Sequence, residues 1–154
     1  RGLGVGKDKA RAENWYRRSA EQGNIKAMHN LAVLRADATA GAPDYMTAAL
    51  WFEKAAELGL SDSQFNLAIL KENGLGVPKD MVSAYKWLAL AARNGDQEAV
   101  RRREILAGKL SAAELAEAEK RIAAFEVKRP DPNANDAFRA SEAWRKNSGN
   151  GFSG

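Results

Sequence analysis

The chain repeats itself every 36 residues, and that period constrains its fold more than any other feature. Trp15, Trp51 and Trp87 keep the step, as do Gly23, Gly59 and Gly95, and Asp8, Asp44 and Asp80. Ala12, Ala48 and Ala84 follow it, and so do Ala20, Ala56 and Ala92. Asn30-Leu31-Ala32 returns as Asn66-Leu67-Ala68. A fixed period of this length marks a stack of supersecondary units, none of which can bury its apolar face alone. With 154 residues there is room for three such units and a terminal element.

Each unit reads as a pair of helices. In the second, Ala48, Trp51, Phe52, Ala55 and Ala56 fall at i, i+3, i+4, i+7 and i+8, one face of a helix. Asp44 stands just upstream, where a carboxylate caps free amides. Gly59 follows the last turn, where a left-handed residue closes a helix without Cβ strain. A second helix then runs through Ser63, Leu67, Ile69 and Leu70. The first unit shows the pair through 12–20 and 27–34, and the third through 84–92 and 99–106. Small residues at Ala20, Ala27, Ala56, Ala68, Ala92 and Ala99 let neighbouring helices approach closely. The three tryptophans are expected to fill the space between pairs, each burying on the order of 200 Å². The expected architecture is an all-α, right-handed α/α superhelical solenoid.

Two near-copies of one phrase, GLGVGKD at 2–8 and GLGVPKD at 74–80, suggest a phosphate cradle at first sight. Neither fits one. The glycine spacing of G-x-x-x-x-G-K-[ST] is missing and an aspartate follows the lysine. Pro78 also removes an amide that a phosphate would need. Both phrases are expected to be turns between units, with Gly74 and Gly76 supplying backbone freedom.

Other chemistry finds little footing. The chain has no cysteine and one histidine, His29, so no zinc or haem constellation can be assembled from those residues. No Ser/His/Asp set and no carboxylate pair stands out, so no catalytic, cofactor-binding or metal-binding residue is assigned and the chain is read as non-enzymatic. The net charge of +4 is spread along the chain: residues 1–108 carry 16 basic and 13 acidic side chains, residues 109–154 carry 8 and 7. The densest basic run, Arg101-Arg102-Arg103, is followed at once by Glu104 and reads as a solvated helix face rather than a nucleic-acid stripe. No apolar run approaches the ~20 residues that a membrane-spanning helix needs. The chain opens on Arg1 rather than Met and is expected to be a fragment whose membrane anchor lies upstream.

The register G-x-G-V-x-x-D-x-x-x-A-x-x-W-x-x-x-A-A-x-x-G-x-x-x-A-x-x-x-L closely resembles the Sel1-like repeat. Gly74-Leu75-Gly76-Val77-Pro78-Lys79-Asp80, Ala84, Trp87, Ala91-Ala92, Gly95 and Ala99 match it nearly throughout. The resemblance covers residues 2 to about 107. It implies a superhelix related to tetratricopeptide arrays, acting as a protein-interaction scaffold without catalytic residues. The second unit departs at Thr39-Ala40-Gly41-Ala42-Pro43, which lacks the G-x-G-V phrase. The third departs at Arg102-Arg103-Glu104, in place of Asn-Leu-Ala. More narrowly, the run AYKWLALAARNGDQEAVRRREILAGKLSAAELAEAEKRIAAFE, with a proline/asparagine segment and a late tryptophan after it, resembles the periplasmic C-terminal part of alphaproteobacterial polar-localisation factors of the PodJ type. That resemblance implies a periplasmic location, a single upstream membrane span and a role as a cell-pole organiser in polar organelle development.

The organisation expected is therefore three repeats over 1–107 (about 2–37, 38–73 and 74–107), a capping helix within 108–127 and an extended tail over 128–154. Ser111-Ala-Ala-Glu114 is a capping-box pattern, and the helix it opens places Leu115, Ala118, Ile122 and Phe125 on one stripe. The tail is rich in Pro, Asn, Ser and Gly, and Phe138 and Trp144 are its candidate anchors, on the solenoid or on a neighbour. On the first helix of each pair, Glu13, Arg17, Glu53, Tyr85 and Ala89 are expected to point away from the Trp/Ala stripe. Arg17, Glu53 and Tyr85 are the candidate partner contacts, the partner being a protein segment along the concave face. The alternative is a peptidoglycan- or glycan-binding module using Trp144 and exposed basic groups.

Overall fold

The computed structural model describes residues 2–39 and 41–127, with residues 2–7 described by their backbone alone. The 36-residue period appears in it as a repeated turn. Gly23, Gly59 and Gly95 have φ of 91°, 93° and 95°. Each donates its N–H to an alanine carbonyl three residues back, Ala20, Ala56 or Ala92, at 3.0 Å every time. No L-residue with a side chain adopts such a φ without strain, so glycine ends the helix here. The next helix starts two residues later. Asn24 caps it in the first unit, accepting from the Ala27 N–H, and Asp96 does the same for Ala99 in the third. In the second unit Leu60 occupies that position and makes no side-chain cap.

The described residues form seven helices: α1 (Gly2–Glu21), α2 (Ile25–Ala36), α3 (Tyr45–Glu57), α4 (Ser61–Asn73), α5 (Met81–Arg93), α6 (Gln97–Ala107) and α7 (Ala112–Ala124), and these turns join the two helices of each pair. There is no strand among the described residues. Each helix packs on the next, α1 on α2 through to α5 on α6, and α7 then packs back on α5. The fold is an all-α repeat solenoid whose end α7 closes by packing on α5, whereas the first helices α3 and α5 pack on the helix just before them. The capping box forms as its sequence requires: Ser111 Oγ accepts from the Glu114 N–H (3.1 Å), and Glu114 Oε1 accepts from the Ser111 N–H (3.0 Å). Ala118 and Ile122 are buried, and Leu115 and Phe125 pack against the core.

The connections between pairs are also built to register. Asp44 and Asp80 cap α3 and α5, accepting from the Thr47 and Ser83 N–H groups. The Asp44 N–H donates to the Arg35 carbonyl at 2.7 Å, and the Asp80 N–H, 36 residues on, to the Lys71 carbonyl at 2.9 Å. α3 therefore starts from the same crossing bond as α5, although the sequence before it lacks the glycine phrase. In the second phrase Gly74 is left-handed (φ 66°) and closes α4. Gly76 (φ 72°) lies flat on the preceding unit, where a Cβ would come within 2.2 Å of the Tyr45 backbone. This turn is as the sequence predicts.

The first phrase is not a turn. Residues 2–8 run in helical conformation as the opening of α1, and Asp8 lies inside that helix rather than capping it. The reason is one residue. Pro78 bars the helical conformation at Val77 and cannot donate within a helix, so α5 cannot extend backwards. The equivalent residue is Gly6, which allows the helix to continue. No preceding helix is present among the described residues to be closed by such a turn.

The core is one continuous cluster from α2 to α7, with a smaller one between α1, α2 and α3. Ala20, Ala27, Ala56, Ala68 and Ala99 are buried in it, and Ala92 is half-buried. The tryptophans diverge from their common register. Trp87 is buried, with the Phe125 ring edge-on at 5.5 Å. Trp51 is half-buried against Ala20, Ala27, Met28 and Leu31, residues of the pair before it. Trp15, expected in the core, is 71% exposed. An indole in this register is received by the preceding helix pair, and α1 has none in front of it among the described residues. Trp87→Ala should therefore cost about 3–5 kcal/mol and Trp15→Ala less than about 0.5 kcal/mol, read as a loss of urea midpoint for the first alone.

Candidate interaction surface

Around Lys86, the helices α3, α5 and α7 bring charged side chains within reach of one another's fields. On α3, Met46, Leu50, Glu53 and Glu57 recur at i, i+4, i+7 and i+11, a single helical stripe. Met46 is 74% and Leu50 52% exposed. Lys86 of α5 lies in the electrostatic field of Glu53 and Glu57 on one side and Arg121 of α7 on the other. Its ammonium sits 4.5 Å from the Trp87 ring centre and 5.5 Å from that of Phe125. Burial lowers the Lys86 pKa, the neighbouring Lys71 and Arg121 lower it further, and Glu57 and Glu53 act against them. The face thus carries an apolar spot beside a cation seated on aromatic rings, with two carboxylates between.

The residues proposed from sequence as partner contacts fare differently. Arg17 is exposed on α1 and donates to Asn14 Oδ1 at 2.6 Å. Glu53 is half-buried on the α3 stripe. Tyr85 and Ala89 do not point outward: both are buried, because α7 packs on α5 over that side. Tyr85 Oη donates to Glu119 Oε1 at 3.3 Å, which ties α5 to α7. Burial first, and then the Glu119 carboxylate, raises the Tyr85 pKa. Glu13 is half-buried and ion-paired with Arg35 of α2. Phe138 and Trp144 lie outside the described residues. Arg17, Glu53 and Tyr85 therefore do not form a common site. The exposed pair Met46 and Leu50 was missed. Its only sequence signal is that large apolar residues stand where the other units carry Ala10 and Asn14, or Val82 and Lys86.

The structure also joins a pair that sequence separation concealed. His29 Nδ1 and Ser63 Oγ, 34 residues apart, share a hydrogen bond of 2.8 Å between α2 and α4. The pair resembles a nucleophile and its base, but Ser63 has no exposed surface, so no substrate carbonyl can reach its Oγ. The imidazole stacks obliquely on Phe52 (5.5 Å, 58°). Burial lowers its pKa, and Asp62 only partly offsets that. On the opposite side a shallow apolar groove of about 370 Å³ runs between α2 and α4, lined by Val33, Ala36, Phe52, Asn66, Ile69 and Leu70. No group of metal-ligating side chains occurs among the described residues. None of their helices is long and apolar enough to cross a membrane.

Helix pairs stacked in register and joined by glycine turns define an α-helical repeat fold. The chain belongs to the Sel1 repeat family, whose model matches residues 1–24, 25–60 and 61–96. Sel1 repeats generally mediate protein–protein interaction and are generally non-catalytic. Among solved structures, the chain is similar to c5321 of uropathogenic Escherichia coli, described as a protective antigen with an SLR fold: 31% identity, TM-score 0.67, covering 87% of this chain and 27% of that one. It is also similar to a Sel1 repeat protein of Oxalobacter formigenes: 30% identity, TM-score 0.57, covering 60% of this chain and 37% of that one. The chain thus spans well under half the length of either. No curated protein matches it closely enough to count as a relative.

The His29 environment generates a pH prediction. Its folded pKa lies below the ordinary 6.5, so the fold favours the neutral ring. That contribution is fully present above about pH 6.5 and is lost as pH falls through the folded value. Denaturant unfolding of the wild type and His29→Gln should show the two stability curves converging as pH drops from 7 to 5. Parallel curves would assign the ring no linkage.

Proposed function

We propose that this array is a non-catalytic scaffold that holds an extended protein segment along the α3–α5–α7 face, and that its parent protein works in the periplasm as a cell-pole organiser. The observation that carries the first part is the exposure of Met46 and Leu50 one helical turn apart, rimmed by Glu53, Glu57 and Lys86. Large apolar side chains ringed by charges are the usual composition of a contact surface. An apolar side chain of the partner would seat on Met46 and Leu50. A flanking acidic group would meet Lys86, whose partial burial leaves less water to displace. The periplasmic, cell-pole part rests on the resemblance of the run over 84–126, with the proline/asparagine segment and late tryptophan after it, to the PodJ-type factors. The glycan alternative relies on Trp144, outside the described residues, and no described feature favours it.

A photo-crosslinking residue introduced in place of Leu50 in the native cell should capture a discrete protein. That protein, once purified, should bind the array, and binding should fall at least tenfold with Met46→Glu and Leu50→Glu at unchanged melting temperature. Capture from Val33 in the α2–α4 groove but not from position 50 would move the site to the opposite side. Retention on purified peptidoglycan at physiological salt, with no protein captured, would favour the glycan reading instead. For the compartment, alkaline phosphatase fused after residue 154 of the parent protein should be active, and a fluorescent fusion should gather at one pole. An inactive phosphatase would refute the periplasmic assignment.

A further inference from the structure

We propose that the second helices carry a docking strip for a polyproline II segment with an apolar side chain at every third residue and an acidic group at its α6 end. This strip is separate from the α3–α5–α7 face, and its occupancy does not depend on that one. Val33, Ile69 and Ile105 keep the 36-residue step and occupy one register position on α2, α4 and α6. Val33 is 44% and Ile105 57% exposed, and Ile69 is half-buried. A position left to solvent has no need of a large branched apolar side chain, yet all three units place one there.

The three residues line one course. Val33 and Ile69 line the groove of about 370 Å³ between α2 and α4, together with Asn66. Ile105 lines a second groove of about 300 Å³ between α4 and α6, with Glu72 on the α4 side. Ile69 and Glu72 stand one turn apart on α4, which is the wall between the two. The His29–Ser63 bond holds α2 beside α4, and the Arg102 guanidinium, 5.7 Å from the Phe65 ring centre, holds α6 beside α4. Neighbouring packed helices lie about 8–10 Å apart, so the apolar ladder repeats at that step.

The step selects the backbone of the ligand. A polyproline II chain has three residues per turn and rises about 3.1 Å per residue, so every third side chain returns to one side after about 9 Å. A β-strand covers a similar distance in three residues, but its third side chain points to the opposite face. An α-helix is a cylinder about 10–12 Å wide, too broad for two shallow grooves of this size. Asn30 and Asn66 share the register position one turn before the ladder, and neither side chain makes a hydrogen bond among the described residues. A polyproline II backbone leaves its own polar groups unpaired, and a primary amide offers them both a donor and an acceptor.

Charge sets the direction of the ligand. Arg101 and Arg102 stand one turn before Ile105, and the exposed Lys109 lies just past the end of α6. Against these cations stand Glu98, which pairs with both arginines, and Glu72 across the groove. The α6 end therefore keeps a positive surplus. At the α2 end Asp37 lies one turn past Val33 and is already paired with Lys9. An acidic group of the ligand is thus placed beside Ile105.

The probe is a fluorescein-labelled peptide with leucine at every third position, proline between, and two glutamates at one end, prepared with the glutamates at either end. Fluorescence anisotropy with the full chain should show saturable binding of one of the two. Binding should weaken at least tenfold when leucine stands at every fourth position, and equally when lysines replace the glutamates. Val33→Ser with Ile105→Ser, both at exposed positions, should weaken it at least tenfold at unchanged melting temperature. Arg101→Glu should abolish the preference for glutamate over lysine. Met46→Glu with Leu50→Glu should leave binding as it is, which separates failure of this strip from failure of the α3–α5–α7 face. No saturable binding up to about 1 mM would overturn the proposal. Equal binding of the every-fourth peptide would refute the layer match. Unchanged binding to the Val33→Ser, Ile105→Ser chain would place the peptide elsewhere, and equal binding of the lysine peptide would refute the acidic end.

Discussion

Every unit of this solenoid depends on two helices meeting across small residues, and a glycine turn aims them at each other. The Gly N–H to Ala carbonyl bond recurs at 3.0 Å in all three units, which fixes the angle at which the second helix departs. That angle brings Ala20 to Ala27 in the first unit, and their equivalents, Ala56 with Ser63 and Ala92 with Ala99, occupy the same seam. Side chains of this size let the backbones approach closely, so dispersion contacts accumulate along the seam. A larger residue there would separate the helices and open the layer behind them. Once the pair is set, the connection to the next unit needs only an aspartate cap and a tight crossing, which both kinds of connecting loop achieve.

The ends of the array show what stacking contributes. The same register position holds a buried indole in α5, a half-buried one in α3 and an exposed one in α1. Nothing intrinsic to tryptophan changes between them: a helix pair stands in front of α3 and α5 but, among the described residues, not of α1, and Phe125 covers Trp87 from the other side as well. At the other end α7 closes the array. Its inner stripe of Leu115, Ala118, Ile122 and Phe125 completes the core, while its outer face is largely charged. Tyr85 joins this closure through Glu119. A residue that would be surface in an open array becomes part of the seal.

The register leaves some residues of such a molecule free to serve a partner. Ala48, Ala56 and Gly59 are committed to packing and turning. Met46, Leu50, Glu53 and Lys86 are not, and they share the face left over after packing. The His29–Ser63 bond shows the converse: two residues suited to catalysis are used to join neighbouring second helices, and burial of Ser63 removes them from chemistry. The second helices carry another uncommitted surface, with Val33, Ile69 and Ile105 at one register position.

The period, the helix pairs, the glycine terminators, the aspartate caps and the capping box of α7 were all legible in the sequence. Each is set by interactions within a few residues: a left-handed glycine, a carboxylate three residues from an amide, or an apolar stripe at helical spacing. Gly2–Asp8 misled because it copies a turn phrase without the proline that makes the turn obligatory. The site was less legible. Tyr85 read as outward because helical spacing reports which face of a helix is apolar, not which faces its neighbours cover. Trp15 read as core because the register says where an indole can insert, not whether a layer is present to receive it. The amino-acid sequence alone determined what each helix is and where it ends, since those are local hydrogen-bond and steric matters. Only the tertiary structure decided which residues are surface, because exposure belongs to the arrangement of layers, and that depends on contacts 30 or more residues apart.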